Sequence, residues 1–378
     1  MMEVMLLTIL VFLLILSVLV LVHELGHFLV AKKLGVKVEE FGFGFPPRVY
    51  GKKIGETLYS INLLPIGGFV KLYGEDEAGG GKLSLNDKGL SISGKDQKRA
   101  FFARPVWQRG IIVVAGVVMN FLLAVVIISY LFAVQGVATP SHDVQIVALA
   151  PHSPAVVSGI QVGDIVRSID GNIITSPNQL ISYTKSHLGK QVALVIASKN
   201  GKGPTHVIRL TPRVHYPADE GAMGVAISNV VSIKKYPWFE APFVGLQESF
   251  KQTWLIVQGL WMTLVTVALS RQVPQGLAGP VGIAQLTGQF IKIGPDAVLS
   301  LVSLLSLNLA VLNILPIPAL DGGRFFFILF EAVTRRKVNQ RFEGYAHAAG
   351  MVFLLALIAL VTFHDLFRLF TGQPILPK

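Results

Sequence analysis

The chain has 378 residues, 52% of them hydrophobic and 15% charged, and carries a formal net charge of +11. That is more apolar surface than a soluble core needs, so the composition indicates a polytopic membrane protein. The basic residues cluster between apolar segments, where they set topology and meet anionic lipid; membrane lipid, and no nucleic acid, is the expected partner of that charge. There is no cysteine, which excludes disulfides, thiolate metal ligands and a cysteine nucleophile.

The first apolar segment covers about 4–31, long enough to span roughly 30 Å of hydrocarbon. It opens with Glu3 rather than a basic cluster, has no small-residue cleavage site and is followed by Lys32 and Lys33. It therefore reads as a retained transmembrane helix with its N-terminus outside, and not as a cleaved signal. Inside it, LVHELGHFLV places His23, Glu24 and His27 in an otherwise lipid-compatible run. Residues four apart share a helix face, so both imidazoles can reach one metal with Glu24 beside them. Ionisable groups in a spanning helix are costly and mark function; the structural alternative is a polar patch that packs helices. Imidazole and carboxylate donors suit Zn²⁺, and two histidines leave a further ligand to be found at the same depth.

A region at about 36–75 follows, with FGFGFPPRVYG and TLYSINLLPIGGFVKLYGE. The alternating YSINL and FVKLY runs around Pro65, Gly67 and Gly68 predict a β-hairpin. A second span covers about 110–134 and contains GVVMN, Gly116 to Asn120, where packing by a small residue is one reading. The connection between these spans, about 78 residues, holds 14 Lys and Arg, whereas the roughly 162 residues from Gln135 to Asp296 hold 12. The first connection is therefore expected in the cytoplasm and the second outside.

The outer segment alternates short β-branched runs with Gly, Pro and Asn turns between about 140 and 213, with helical patches near Pro154–Ser158 and Asn178–His187. Its GIQVGDIVRSIDG resembles the PDZ domains of envelope proteases, which bind extended chain by β-strand addition. A linker at 214–296 contains an amphipathic helix at about 240–270, whose WLIVQGLWMTLVTVAL fits the outer membrane surface. A third span is expected at about 297–317. A fourth, at 348–363, is short for a bilayer. Arg324, Arg335, Arg336, Lys337 and Arg341 between them indicate a cytoplasmic connection, so four spans place both ends outside.

Asp321, His347 and His364 are the ionisable donors near the ends of the later spans. The first and third spans run the same way, so Asp321 in NILPIPALDGGR arrives at the depth of HELGH; were 254–269 also to span, Asp321 would emerge on the opposite side. Pro316 and Pro318 break the helix before it, and Gly322 and Gly323 allow close backbone approach. Unwound backbone at membrane depth must line a site or be covered by protein. Asn308 and Asn313 offer amides to a substrate backbone or to neighbouring helices.

HELGH, NILPIPALDGG and the intervening PDZ-like segment together resemble the site-2 protease family of intramembrane zinc metalloproteases, in its bacterial branch that cleaves anti-sigma factors. The resemblance runs over nearly the whole chain. It implies a polytopic α-helical membrane protein with four transmembrane helices, a membrane-associated β-hairpin region and an inserted extracytoplasmic PDZ domain, residing in the bacterial inner membrane and serving stress responses. It assigns His23, His27 and Asp321 to zinc and Glu24 to general-base catalysis, and makes the hairpin region the presenter of an edge strand, from residues 57–73, to a transmembrane protein substrate already shortened on its outer side. Asn308, Asn313, Pro316, Pro318, Gly67 and Gly68 are the candidates for substrate contact. GVVMN matches the family's GxxxN pattern, and LAGPVGI at 277–283 is family-like without an evident physical role. One PDZ segment is found where the best-known members carry two. A membrane metal transporter and a PDZ adaptor are the rival functions; the first calls for further ligands along a path, and the second has no use for Glu24.

Overall fold

A computed structural model describes residues 2–75, 97–198, 203–217, 220–270, 278–336 and 338–371. The chain divides into two compact units, Met1–Ala133 with Pro237–Lys378, and Val134–Tyr236.

In the first unit, helix α1 (Met2–Lys33) leads into strands β1 (Val38–Ile54) and β2 (Thr57–Leu72), and helix α2 (Val106–Val134) follows. Among the described residues four helical stretches are long and apolar enough to cross a membrane: Glu3–Lys33, Val106–Val134, Pro295–Ile314 and Arg341–Thr371. The last is nearly twice the length of the apolar run at 348–363. Polar residues at both ends continue its helical hydrogen bonding, so the shortness expected of the fourth span is corrected.

The β1/β2 pairing also departs from the simple hairpin. Residues 40–43 pair on one side with 58–61 and on the other with 68–71, and 50–54 pair with the outer side of 57–61. YSINL and FVKLY thus flank FGFGF instead of pairing with each other. Residues 57–61 are interior, and the two free edges are 50–54 and 68–72, the second of which touches Glu24 of α1. Asn62 Nδ2 donates to Gly44 O (3.0 Å), Thr57 Oγ1 to Val38 O (2.9 Å) and Ser17 Oγ to Pro65 O (2.6 Å), the last tying the sheet to α1.

The second unit holds β3 (Val137–Leu149), α3 (Pro154–Val157), β4 (Ile165–Ile169), β5 (Asn172–Ile173), α4 (Pro177–Ser186), β6 (Val192–Ala197), β7 (Thr205–Leu210) and β8 (Val225–Lys234). The described strands form one antiparallel sheet in the order β7-β6-β4-β3-β8, with β5 paired to β4. Its core includes Val144, Ile146, Ile169, Leu180, Leu194 and Ile196. Asp170 and Gly171 at positive φ make the turn between β4 and β5. Both helical patches are present, each opened by a serine cap, Ser153 and Ser176. Residues 214–236, expected to belong to a linker, include β8, so the compact unit runs on to Tyr236.

Back in the first unit come α5 (Ala241–Ser270), α6 (Pro280–Ile293), α7 (Pro295–Ile314), α8 (Asp321–Thr334) and α9 (Gln340–Thr371). Helix α5 covers the amphipathic stretch and packs on α2, with the Phe250 ring 4.9 Å from that of Phe121, while Trp254 and Trp261 are exposed. At the start of α6, the buried Asp365 of α9 accepts the Gly282 N–H at 2.7 Å. That contact supplies a physical role for the glycines of LAGPVGI, whose Leu277 lies outside the described residues.

Candidate metal centre

The apolar α1 carries its polar residues at helical spacing, and helix geometry presents His23 and His27 together. Both are buried. His27 Nδ1 donates to the Ile112 carbonyl of α2 at 2.8 Å, which leaves Nε2 as the free acceptor of that ring. His23 Nε2 lies 3.2 Å from His27 Nε2. The wall behind them is Gly116 of α2, where an added Cβ would sit 2.7 Å from His23 Cε1 and closer still to His27 Nε2. Gly26 makes the same allowance on α1, since a Cβ there would meet the Ala115 backbone and Met119 Cγ.

Asp321 arrives from almost three hundred residues away. Helix α7 ends at Ile314, residues 315–320 form an irregular connection containing Pro316 and Pro318, and Asp321 opens the separate helix α8. The expected unwound end of the third span is therefore a break between two helices. Asp321 Oδ2 lies 2.8 Å from His23 Nε2 and 3.3 Å from His27 Nε2. The ligand atoms of His23, His27 and Asp321 all lie within 4.8 Å of one another. Two imidazole nitrogens and one carboxylate oxygen at this separation fit the donor set of a catalytic zinc, which keeps one position open.

Glu24 points to the sheet. Its Oε2 accepts the Val70 N–H at 3.1 Å, and Gly68 sits beside it, where a Cβ would lie 3.9 Å from Glu24 Cγ. Gly67 packs against α1, where a Cβ would meet Val20 Cγ1 at 3.3 Å. Between the strand edge, α2 and α8 lies a cavity of about 360 Å³ lined by Glu24, His27, Val70, Glu75, Asp321 and Arg324, in which Arg324 and Glu75 form an ion pair of 2.6 Å.

Asn313 Nδ2 comes within 3.5 Å of His23 Nε2. Asn308 is turned away, its amide donating to Leu304 O of its own helix at 2.8 Å. His347 does not join the metal group; its Nδ1 accepts the Ala319 N–H at 2.9 Å and supports the 315–320 connection. Sequence reasoning missed the Ile112 carbonyl and the Val70 N–H, since backbone groups leave no residue-type signal. The GVVMN pattern, read as a family match or as packing by a small residue, gives Asn120 no role of its own, although its buried amide contacts His23.

Span-length apolar helices and an HExxH pair completed by a distant carboxylate define a metallopeptidase embedded in a membrane. Residues 11–357 match peptidase family M50. The chain belongs to that family, the site-2 proteases expected above, and is a zinc metalloprotease. It is 32% identical to the zinc metalloprotease RasP of Bacillus licheniformis, over 96% of this chain and 99% of the relative. It is 31% identical to the regulator of sigma-W protease RasP of Bacillus subtilis, again over 96% and 99%. A putative zinc metalloprotease of Clostridium perfringens is 34% identical over 93% of this chain and 96% of that protein.

Proposed function

We propose that this intramembrane zinc protease cuts single-pass transmembrane proteins or signal-peptide remnants after an earlier cleavage has shortened them outside, with His23, His27 and Asp321 as zinc ligands and Glu24 as the general base. The observation that carries this is the convergence of His23 Nε2, His27 Nε2 and Asp321 Oδ2 beside a glutamate that touches a strand edge.

Bound zinc supplies a Lewis acid that polarises a peptide carbonyl and makes water acidic near neutral pH. Glu24 takes the proton of the attacking water and returns it to the leaving amine. The edge at 68–72 pairs with the substrate in extended form, because a helical peptide bond is shielded by its own hydrogen bonding. Asn313, Gly67 and Gly68 border the cut segment, while Pro316 and Pro318 keep the connection before Asp321 out of helix. One potential metal group of three residues stands among the described residues, which favours an enzyme over a transporter with a chain of sites.

The topology that goes with this reading has four spans, both termini outside and the active site near the cytoplasmic side of a bacterial inner membrane. The +11 charge and its concentration between spans support it. Residues 134–236 act as a single PDZ-like outer domain that rejects substrates with bulky outer portions, and α5 lies at the outer membrane surface. The name of the Bacillus subtilis relative, a regulator of sigma-W, supports an anti-sigma-factor-like substrate and a part in stress response.

Purified protein in liposomes, given a transmembrane reporter, tests the reading. Cleavage is expected, and is expected to vanish with Glu24→Gln or a zinc chelator; persistence in either sinks the mechanism.

A further inference from the structure

Asn120 is fully buried on α2, one turn beyond Gly116, in a helix whose surroundings are apolar. Its side chain lies 3.3 Å from His23 Nδ1 through Nδ2, and its Oδ1 is buried without a hydrogen-bond partner. The tautomer of His23 decides which end of the amide faces the ring. If Nε2 of His23 faces the metal, Nδ1 carries the ring proton and needs an acceptor. A half-turn about χ2 exchanges the two ends of the Asn120 amide without moving another atom, and brings Oδ1 to Nδ1. The orphaned carbonyl then accepts the His23 proton.

We infer that Asn120 is a positioning residue of the zinc centre, accepting the Nδ1–H of His23 and so fixing the ring that offers Nε2 to the metal. The inference rests on His23 being a zinc ligand, as proposed above. Ile112, Gly116 and Asn120 recur every four residues and share one face of α2. Ile112 O orients His27 at 2.8 Å, Gly116 leaves room for both rings, and Asn120 orients His23. The backbone carbonyl of Asn120 accepts a hydrogen bond from Ser306 Oγ at 2.7 Å, which anchors this point of α2 to α7. The GVVMN pattern thereby gains a chemical role in place of simple helix packing.

Zinc affinity of the full-length protein in detergent, measured by competition with a chromogenic chelator, tests this. Asn120→Leu keeps the volume and removes the acceptor; Asn120→Asp keeps an acceptor. The expected result is a roughly 10- to 100-fold loss of zinc affinity for Asn120→Leu and affinity within a few-fold of the parent for Asn120→Asp. A packing role predicts the reverse order, because leucine suits an apolar helix contact and a carboxylate does not; that order overturns the inference. Should Asn120→Asp fail to fold, Asn120→Ser, an uncharged acceptor, takes its place. Its zinc affinity is expected to exceed that of Asn120→Leu, and an affinity equal to or below that of Asn120→Leu overturns the inference. If His23→Ala leaves zinc affinity unchanged, the ligand assignment fails; if it removes zinc while Asn120→Leu does not, only the role of Asn120 fails.

Discussion

The Glu24 carboxylate accepts a hydrogen bond from the Val70 N–H at 3.1 Å, so the glutamate of HELGH and a free edge of the β1/β2 sheet are in direct contact. An edge residue whose N–H faces away from its own ladder tolerates proline within the sheet but loses the donor. Val70→Pro is expected to lower cleavage of a helical transmembrane reporter about 10-fold, the scale of one hydrogen bond, with bound zinc unchanged. Val70→Ala should cleave like the parent. Equal cleavage by both variants would remove the strand edge from the reaction.

Much of the centre was legible because polar residues at helical spacing stand out in an apolar run: His23, Glu24 and His27 identify themselves, and span parity brings in Asp321. The sheet was less so. Alternation marks 59–63 and 69–73 as strands, but which strand pairs with which depends on register across β1, and both run beside 40–43. The fourth span looked short because α9 continues through polar residues such as Asp365 and Arg368, both buried in the structure. The second unit looked to end at 213 because β8 follows a stretch rich in turn residues and pairs with the distant β3.

His347 supports backbone and stands outside the His23–His27–Asp321 group. Ala319 adopts a left-handed conformation, φ +78°, and donates its N–H to His347 Nδ1 at 2.9 Å. His347→Leu is expected to cost about 1–3 kcal/mol of stability through the unpaired N–H, seen as a lowered melting temperature, while zinc stoichiometry is retained. Ala319→Gly should recover part of the loss by relieving the backbone. Loss of zinc from His347→Leu would contradict this assignment.

Asp365 secures α6 to α9. It is buried and accepts the Gly282 N–H at 2.7 Å in the first turn of α6, where a negative charge also suits the helix terminus. Asp365→Ala should destabilise the protein by about 1–3 kcal/mol in thermal or denaturant melts. A melting curve identical to the parent's would show that this contact contributes nothing to stability.

Glu56, in the turn between β1 and β2, accepts from Arg99 at 2.7 and 2.8 Å and from Lys32 at 3.2 Å. The Arg99 hydrogen bonds, opposed by burial and helped by Lys32, lower its pKa to about 2. The folded protein therefore binds fewer protons here than the unfolded chain, and the contact's stabilisation is full above about pH 5 and lost as pH falls toward about 2. Melts of the parent and Glu56→Gln across this range should differ most near neutrality and converge in acid. A gap that widens on acidification would reverse the sign and refute the assignment.

In the proposed site a carboxylate from the far end of the chain completes a zinc centre begun by two histidines in the first helix. Zinc per mole of purified protein is the decisive measurement, made on the parent and on Asp321→Ala. About one zinc per chain is expected in the parent, and its loss, or release to a mild chelator, in Asp321→Ala. Zinc held by Asp321→Ala at the parent's stoichiometry and affinity would contradict it.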